Sequence, residues 1–118
     1  PTAQIDAPYV MAGINVMVAE TDEEADRQFT VLEQMFMNAL RGMFRKLEPP
    51  VDPQELAKQG GGNHSMLRVK AVGAPQTVKD KLQEFVERTG VDELITVTYA
   101  FDPTVRDRSL ELLAEVWF

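Results

Sequence analysis

The run YVMAGINVMVA, residues 9–19, restricts this chain more than any other stretch. Read as a strand, it places Val10, Ala12, Ile14, Val16 and Val18 on one face and Met11, Gly13, Asn15 and Met17 on the other. A strand that is apolar on both faces has to be covered on both, as in the middle of a parallel sheet or a barrel. Asn15 is the one polar side chain within the run. A buried amide left unpaired costs about 1–3 kcal/mol, so Asn15 reads first as a structural hydrogen bond across the interior and second as a ligand contact.

Residues 92–116, DELITVTYAFDPTVRDRSLELLAEV, repeat the theme as strand, turn and helix. Residues 94–101 are β-branched and aromatic, apolar on both faces, and read as a second covered strand. Asp102-Pro103 supplies an N-cap acceptor and a ring at the first helical position. Val105, Leu112, Leu113 and Val116 then give that helix one apolar stripe.

Between the two strands, Thr21-Asp22-Glu23-Glu24 reads as a capping box with an acidic first turn suited to the helix dipole. The helix it starts is expected to run to about Lys46. Its stripe is Ala25, Phe29, Leu32, Phe36, Ala39, Leu40 and Met43, with Arg41, Arg45 and Lys46 in its last turns. Met35, Phe36, Met37, Met43 and Phe44 exceed what one face requires and read as core or subunit contact before substrate wall. Residues 47–65 are expected to be a long flexible loop. Pro49-Pro50 ends the helix, Pro53 opposes a quick restart, and Gly60-Gly61-Gly62 has no preferred conformation. Residues 66–72 read as a short strand or extended lead-in. Gly73-Ala74-Pro75 turns into a further helix with Pro75 at its first position. Val78, Leu82, Phe85 and Val86 form its stripe, and Gly90 is its stop. Alternating strands and helices of this kind specify an α/β fold with parallel strands in one domain, residues 1–118.

Several functions are excluded by what is missing. Zero cysteines remove disulfides and thiolate chemistry. The glycine run has no Lys-Ser or Lys-Thr after it, so it is no phosphate loop. His64 is the only histidine and has no second soft ligand near it, which leaves no metal site. A net charge of −7 opposes nucleic acid or an anionic membrane as partner. No apolar run approaches the roughly 20 residues of a membrane helix, and no signal peptide is visible. The expectation is a cytoplasmic protein.

Four stretches, in order, resemble the C-terminal part of bacterial luciferase-like, alkanal-monooxygenase-like flavin-dependent oxidoreductases. They are PYVMAGINVMVAETDEEA from Pro8, residues 28–41 with the LEPPV segment, VGAPQTVKDKLQEFVERTGVDELI from Val72, and FDPTVRDRSLELLAEV from Phe101. The resemblance implies the C-terminal part of a (β/α)8 TIM-type barrel whose last two strands are residues 9–19 and 94–101. Such a barrel needs about 250 residues, so the chain is expected to be a portion of a longer enzyme. The resemblance further implies an FMN-dependent monooxygenase, in which reduced flavin and O2 oxidise an aldehyde or other apolar substrate. The flavin site would be built largely on earlier strands, so these 118 residues are expected to bind no flavin and to be inactive alone. A flavin reductase is an implied partner of the whole enzyme. The chain departs from the family pattern at Ala74, where a Ser would cap the helix, at Pro103, where a His often stands, and at Asp107.

In barrel enzymes the carboxyl ends of the strands face the site. That points to Glu20 and Thr21 after the first strand and to Thr98, Tyr99 and Asp102 after the last, with Asn15 inside. For Thr21 and Asp102 helix capping is the simpler role, and for Tyr99 packing with a satisfied hydroxyl. No catalytic residue and no cofactor ligand is assignable. The competing reading is a non-catalytic module. A partial barrel leaves open edges, so the chain should form a homo-oligomer or associate with an amino-terminal portion. A ferredoxin-like α+β domain binding a small ligand is a third reading, and it requires residues 66–72 to be a full central strand.

Overall fold

A computed structural model describes residues 9–43, 46–59 and 69–117. Three strands and four helices follow one another as β1 (Met11–Val18), α1 (Asp22–Leu40), α2 (Pro53–Lys58), β2 (Lys70–Gly73), α3 (Pro75–Thr89), β3 (Glu93–Val97) and α4 (Pro103–Trp117). The expected α/β class holds. All pairing is parallel and β1 is central, in the order β2-β1-β3. Val16 lies opposite Ala71 on one side, and Ile14 lies opposite Thr96 on the other. β2 is a four-residue edge strand, which rules out the ferredoxin-like reading. The two strands expected to be neighbours in a barrel, β1 and β3, are neighbours here.

Both faces of β1 are covered, as its sequence requires. Ile14, Val16 and Val18 pack with Ala71, Val78, Leu82 and Leu112, beneath α3 and α4. Met17 and Ala19 pack with Val72, Ala25, Phe29 and Leu32, beneath α1. The connection from β1 to β2 travels one way along the sheet, and the connection from β2 to β3 travels back across β1. Crossovers of one hand that run in opposite directions place their helices on opposite faces, and α1 and α3 do lie on opposite faces. A closed barrel keeps all its helices outside; this three-stranded sheet is open and has two edges.

Three sequence expectations are corrected. First, α1 stops at Leu40 rather than near Lys46. Arg41 is its C-cap, with its N–H donated to Met37 O and Asn38 O, and Gly42 follows at φ +74°. Ala39 and Leu40 are therefore exposed, and Arg41 lies just past the last turn.

Second, part of the expected loop is ordered structure. Pro53, read as opposing a restart, is the first residue of α2, with Asp52 as N-cap accepting from Gln54 N. The approach to α2 is held on a polar face of α1. Thr30 Oγ1 accepts from Val51 N at 3.0 Å, Gln34 Nε2 donates to Pro49 O at 3.0 Å, and Asn38 Nδ2 donates to Glu48 Oε1 at 3.1 Å. Thr30, Val31 and Gln34 are buried beside the apolar stripe for this reason. The glycine run, His64, Arg45 and the start of the piece at residues 66–72 lie outside the described residues.

Third, β3 ends at Val97 and is not covered on both sides. Leu94 packs into the core, but Ile95 and Val97 are exposed. β3 is an edge strand, and among the described residues no helix lies over its second face.

Candidate functional site

The carboxyl ends of β1 and β2 and the turn after β3 meet the starts of α1, α3 and α4. The starts of α1 and α4 are built from short polar signals in the sequence. Thr21 Oγ1 accepts from Glu24 N at 3.1 Å and caps α1. The Glu24 carboxylate points forward along the helix, accepting from Gln28 Nε2 at 2.7 Å and Arg27 Nη1 at 3.3 Å. Asp102 Oδ1 accepts from Thr104 N at 2.9 Å and Thr104 Oγ1 at 2.8 Å. These two bonds, the hydroxyl's first, hold the Asp102 carboxyl below its ordinary pKa. Thr21 and Asp102 are thus helix caps, as their local sequence suggests.

The start of α3 is capped from a distance. Ala74 has no capping side chain, but Asp22 reaches across from α1 and accepts from Ala74 N at 2.7 Å. That bond, followed by one to the Thr77 side chain, lowers the Asp22 pKa. Gly73 makes the approach feasible. A Cβ at Gly73 would lie 2.6 Å from Thr77 Cγ2 and 2.7 Å from Asp22 Oδ1. The missing Ser is visible in the sequence, but its replacement at sequence distance 52 is not readable from local pattern.

A groove of about 250 Å³ opens beside these turns, lined by Val18, Ala19, Glu20, Glu24, Gln28, Thr104, Val105 and Arg108. Its floor is apolar and its rim is charged. Arg108 Nε donates to Glu20 Oε1 at 3.0 Å and Arg108 Nη1 to Glu111 Oε2 at 3.2 Å, closing one side between β1 and α4. The Glu20 contact, then Glu111, raises the Arg108 pKa further. Gln28 Oε1 is sealed from solvent and has no hydrogen-bond partner. Deeper, Ser109 Oγ accepts from Val18 N at 2.8 Å. It satisfies a strand N–H that β3, ending opposite Asn15, does not reach.

The residues expected to face a site do not form one cluster. Glu20 lines the groove at the strand ends. Asn15 is half-buried and lines a different trough of about 320 Å³, with Gly13, Ile14, Val69 and Val97. Thr98 is half-buried with its Oγ1 sealed and unpartnered. Tyr99 is 40% exposed just past β3, so it is not a packed aromatic. Gln28, Thr104 and Arg108 are groove residues that the sequence reading missed. Spacing groups them within each helix, Gln28 four after Glu24 and Arg108 four after Thr104, but nothing local joins α1 to α4.

The groove does not fit the phosphate of a flavin mononucleotide. Such a phosphate is held by free N–H groups at a helix start or by unspent cations. Here one N–H at each start is already taken: Glu24 N by Thr21, Ala74 N by Asp22 and Thr104 N by Asp102. The lining holds two carboxylates against one guanidinium, which is itself paired. Among the described residues no group of acidic or histidine side chains could hold a metal ion, and no helix is long and apolar enough to cross a membrane.

No protein-family model matches the chain. Individual proteins do. It is 35% identical over 124 residues to the uncharacterised protein YvbT of Bacillus subtilis, covering 99% of this chain and 36% of that one. It is 29% identical over 119 residues to a protein named luciferase-like monooxygenase from Escherichia coli, covering 98% of this chain and 36% of that one. The chain therefore spans about a third of the length of these relatives. Among solved structures it resembles apo-MsnO8, with a TM-score of 0.75 and 29% identity over 94% of this chain and 35% of that one. It also shares the fold of the oxygenating constituent of 3,6-diketocamphane monooxygenase of Pseudomonas putida, a type II Baeyer-Villiger monooxygenase solved with FMN. That match has a TM-score of 0.59 at 24% identity, covering 89% of this chain and 32% of that one.

Proposed function

We propose a function from the premise that the chain belongs, over nearly its whole length, to the luciferase-like monooxygenases and has the fold of the C-terminal part of their (β/α)8 barrel. In this reading it is part of an FMN-dependent monooxygenase that uses reduced flavin and O2 to oxidise an aldehyde or other apolar substrate. The observation that carries the reading is the match along 98% of the chain to a protein of that name. The role of these residues follows from their geometry. Val18, Ala19 and Val105 supply apolar wall at the strand ends, where barrel enzymes place their sites. The Glu20–Arg108–Glu111 group closes the wall against water. The phosphate of the flavin is held by other parts of the enzyme. A reductase that delivers reduced flavin belongs to the same proposal.

The test is FMN titration of the purified 118-residue chain, followed by flavin fluorescence, beside a version extended to the length of its relatives. The expected result is saturable binding by the extended protein and none by the short chain. Stoichiometric binding by the short chain would overturn the placement of the phosphate. No binding by the extended protein would overturn the flavin reading itself.

A further inference from the structure

At the end of the sheet away from the groove, the space between β3, α3 and α4 is not filled. Leu82, Leu94, Thr96, Leu113 and Trp117 line a recess of about 140 Å³ there. Its floor is Leu82 of α3, which is 1% exposed and part of the core. Leu94 and Leu113 flank it, partly buried against the same core. Trp117, the last residue of α4, stands at its rim and is 37% exposed. The step along α4 from Val105 in the groove to Trp117 covers about 18 Å, with the buried Ser109 and Leu112 between them. The two openings are therefore separate. No Asp, Glu, Lys, Arg or His lines the recess, although 26% of the chain is charged. The polar groups on its lining side chains are the Thr96 hydroxyl and the Trp117 indole N–H, and neither has a hydrogen-bond partner among the described residues.

We propose that this recess binds a small neutral molecule with an apolar body the size of one ring and a single hydroxyl or carbonyl oxygen. Volume sets the size: an apolar cavity of about 150 Å³ takes up benzene. The lining sets the charge. With no ionic side chain on it, a carboxylate or an ammonium group would lose water there and gain no partner. Thr96 sets the oxygen, because a hydroxyl both donates and accepts and so serves an alcohol or a ketone equally. The occupant is a small molecule rather than a polypeptide, since the recess is a pit enclosed by three elements and not a strip along one of them. An occupant would cover the open side of Trp117 and tie the end of α4 to β3. The site lies towards the amino end of β3, whereas the groove lies at the carboxyl end of β1. The proposal therefore stands apart from the flavin reading and does not need it.

The test is titration of the chain with cyclohexanol. Trp117 is its only tryptophan, so tryptophan emission reads the rim of the recess directly. The expected result is a saturable shift of that emission to shorter wavelength, with a Tm that rises as the site fills. Leu113→Phe fills the recess and should weaken cyclohexanol roughly tenfold or more, about the worth of the contacts displaced. Thr96→Val keeps the shape and removes the hydroxyl. It should weaken cyclohexanol roughly fivefold, the worth of one neutral hydrogen bond, and leave benzene unchanged. Thr96 is exposed, so this variant should fold even if Leu113→Phe does not, and circular dichroism checks both. No saturable change up to the solubility limit of the probe would overturn the proposal, and so would equal binding by folded Leu113→Phe. Equal cyclohexanol binding by Thr96→Val would overturn the assignment of the oxygen. An emission shift that follows protein concentration rather than cyclohexanol would give the recess to a second copy and overturn the ligand site. Calorimetric titration of the version extended to the length of its relatives should find the same site. Its loss there would mean that an added segment fills the recess, which would overturn the proposal too.

Discussion

β1 and β3 are adjacent strands of one sheet with similar residues, and they have opposite fates. Val16, Met17 and Val18 of β1 are at most 1% exposed, while four of the five residues of β3 are exposed. Composition does not separate them, since MAGINVMV and ELITV are both strand-like and apolar. What separates them is position. β1 has a strand on each side and a helix layer on each face, whereas β3 has one strand and one layer. An apolar strand sequence therefore reports that cover is needed. It does not report that the same chain provides it.

The largest break in symmetry should come from cutting the two strands alike. Met17→Ala removes a fully buried side chain and should cost about 2–5 kcal/mol. Ile95→Ala, at a half-exposed edge position, should cost under about 1 kcal/mol. Urea denaturation of the two variants measures both. Equal losses would mean that β3 is covered in solution.

Next in size are two substitutions where the well-covered half depends on a single small group. Ser109→Ala leaves the Val18 N–H buried without a partner, for about 1–3 kcal/mol. Its effect should exceed that of Ser→Ala at an exposed site by the whole of that amount. Gly73→Ala drives a Cβ into Thr77 and Asp22 and should cost a comparable 1–3 kcal/mol, roughly. The double variant with Thr77→Ser, which removes the clashing Cγ2, should recover part of the loss, and a calorimetric Tm reads both.

These examples mark what was legible in the sequence. The central strand, the helix starts at Thr21, Pro75 and Asp102, and the stop at Gly90, with φ +67°, depend on neighbours within a few residues and could be read directly. The end of α1 was misread because the apolar period continues through Leu40 and Met43, while Gly42 breaks the backbone. The order in residues 47–59 was missed because it depends on Thr30, Gln34 and Asn38, polar residues that on a helix normally signal the solvent face. The groove residues Gln28, Thr104 and Arg108 were missed because only tertiary structure brings α1 and α4 to the same strand end.

The smallest effects sharpen the comparison through titration. Asp22 has a lowered pKa, so its contribution is present above the ordinary carboxylate value of 3.8 and is lost as pH falls through the folded value. Asp22→Asn should be less stable than the parent at neutral pH, and the gap should close as the solution is acidified well below pH 3.8. Glu33 has the opposite sign. Burial raises its pKa above 4.5, so its favourable contribution is complete below that value and is lost as pH rises through the folded one. Glu33→Gln should therefore be neutral to mildly stabilising at pH 7. Ala74→Ser tests whether Asp22 fully replaces the missing cap. The Asp22 carboxylate bonds the N–H of Ala74 itself, whereas a capping Ser accepts from an N–H one turn further in. The two roles do not overlap, and the substitution should add about 0.5–1 kcal/mol. A gain that appears only in the Asp22→Asn background would mean that the distant carboxylate already satisfies the turn electrostatically.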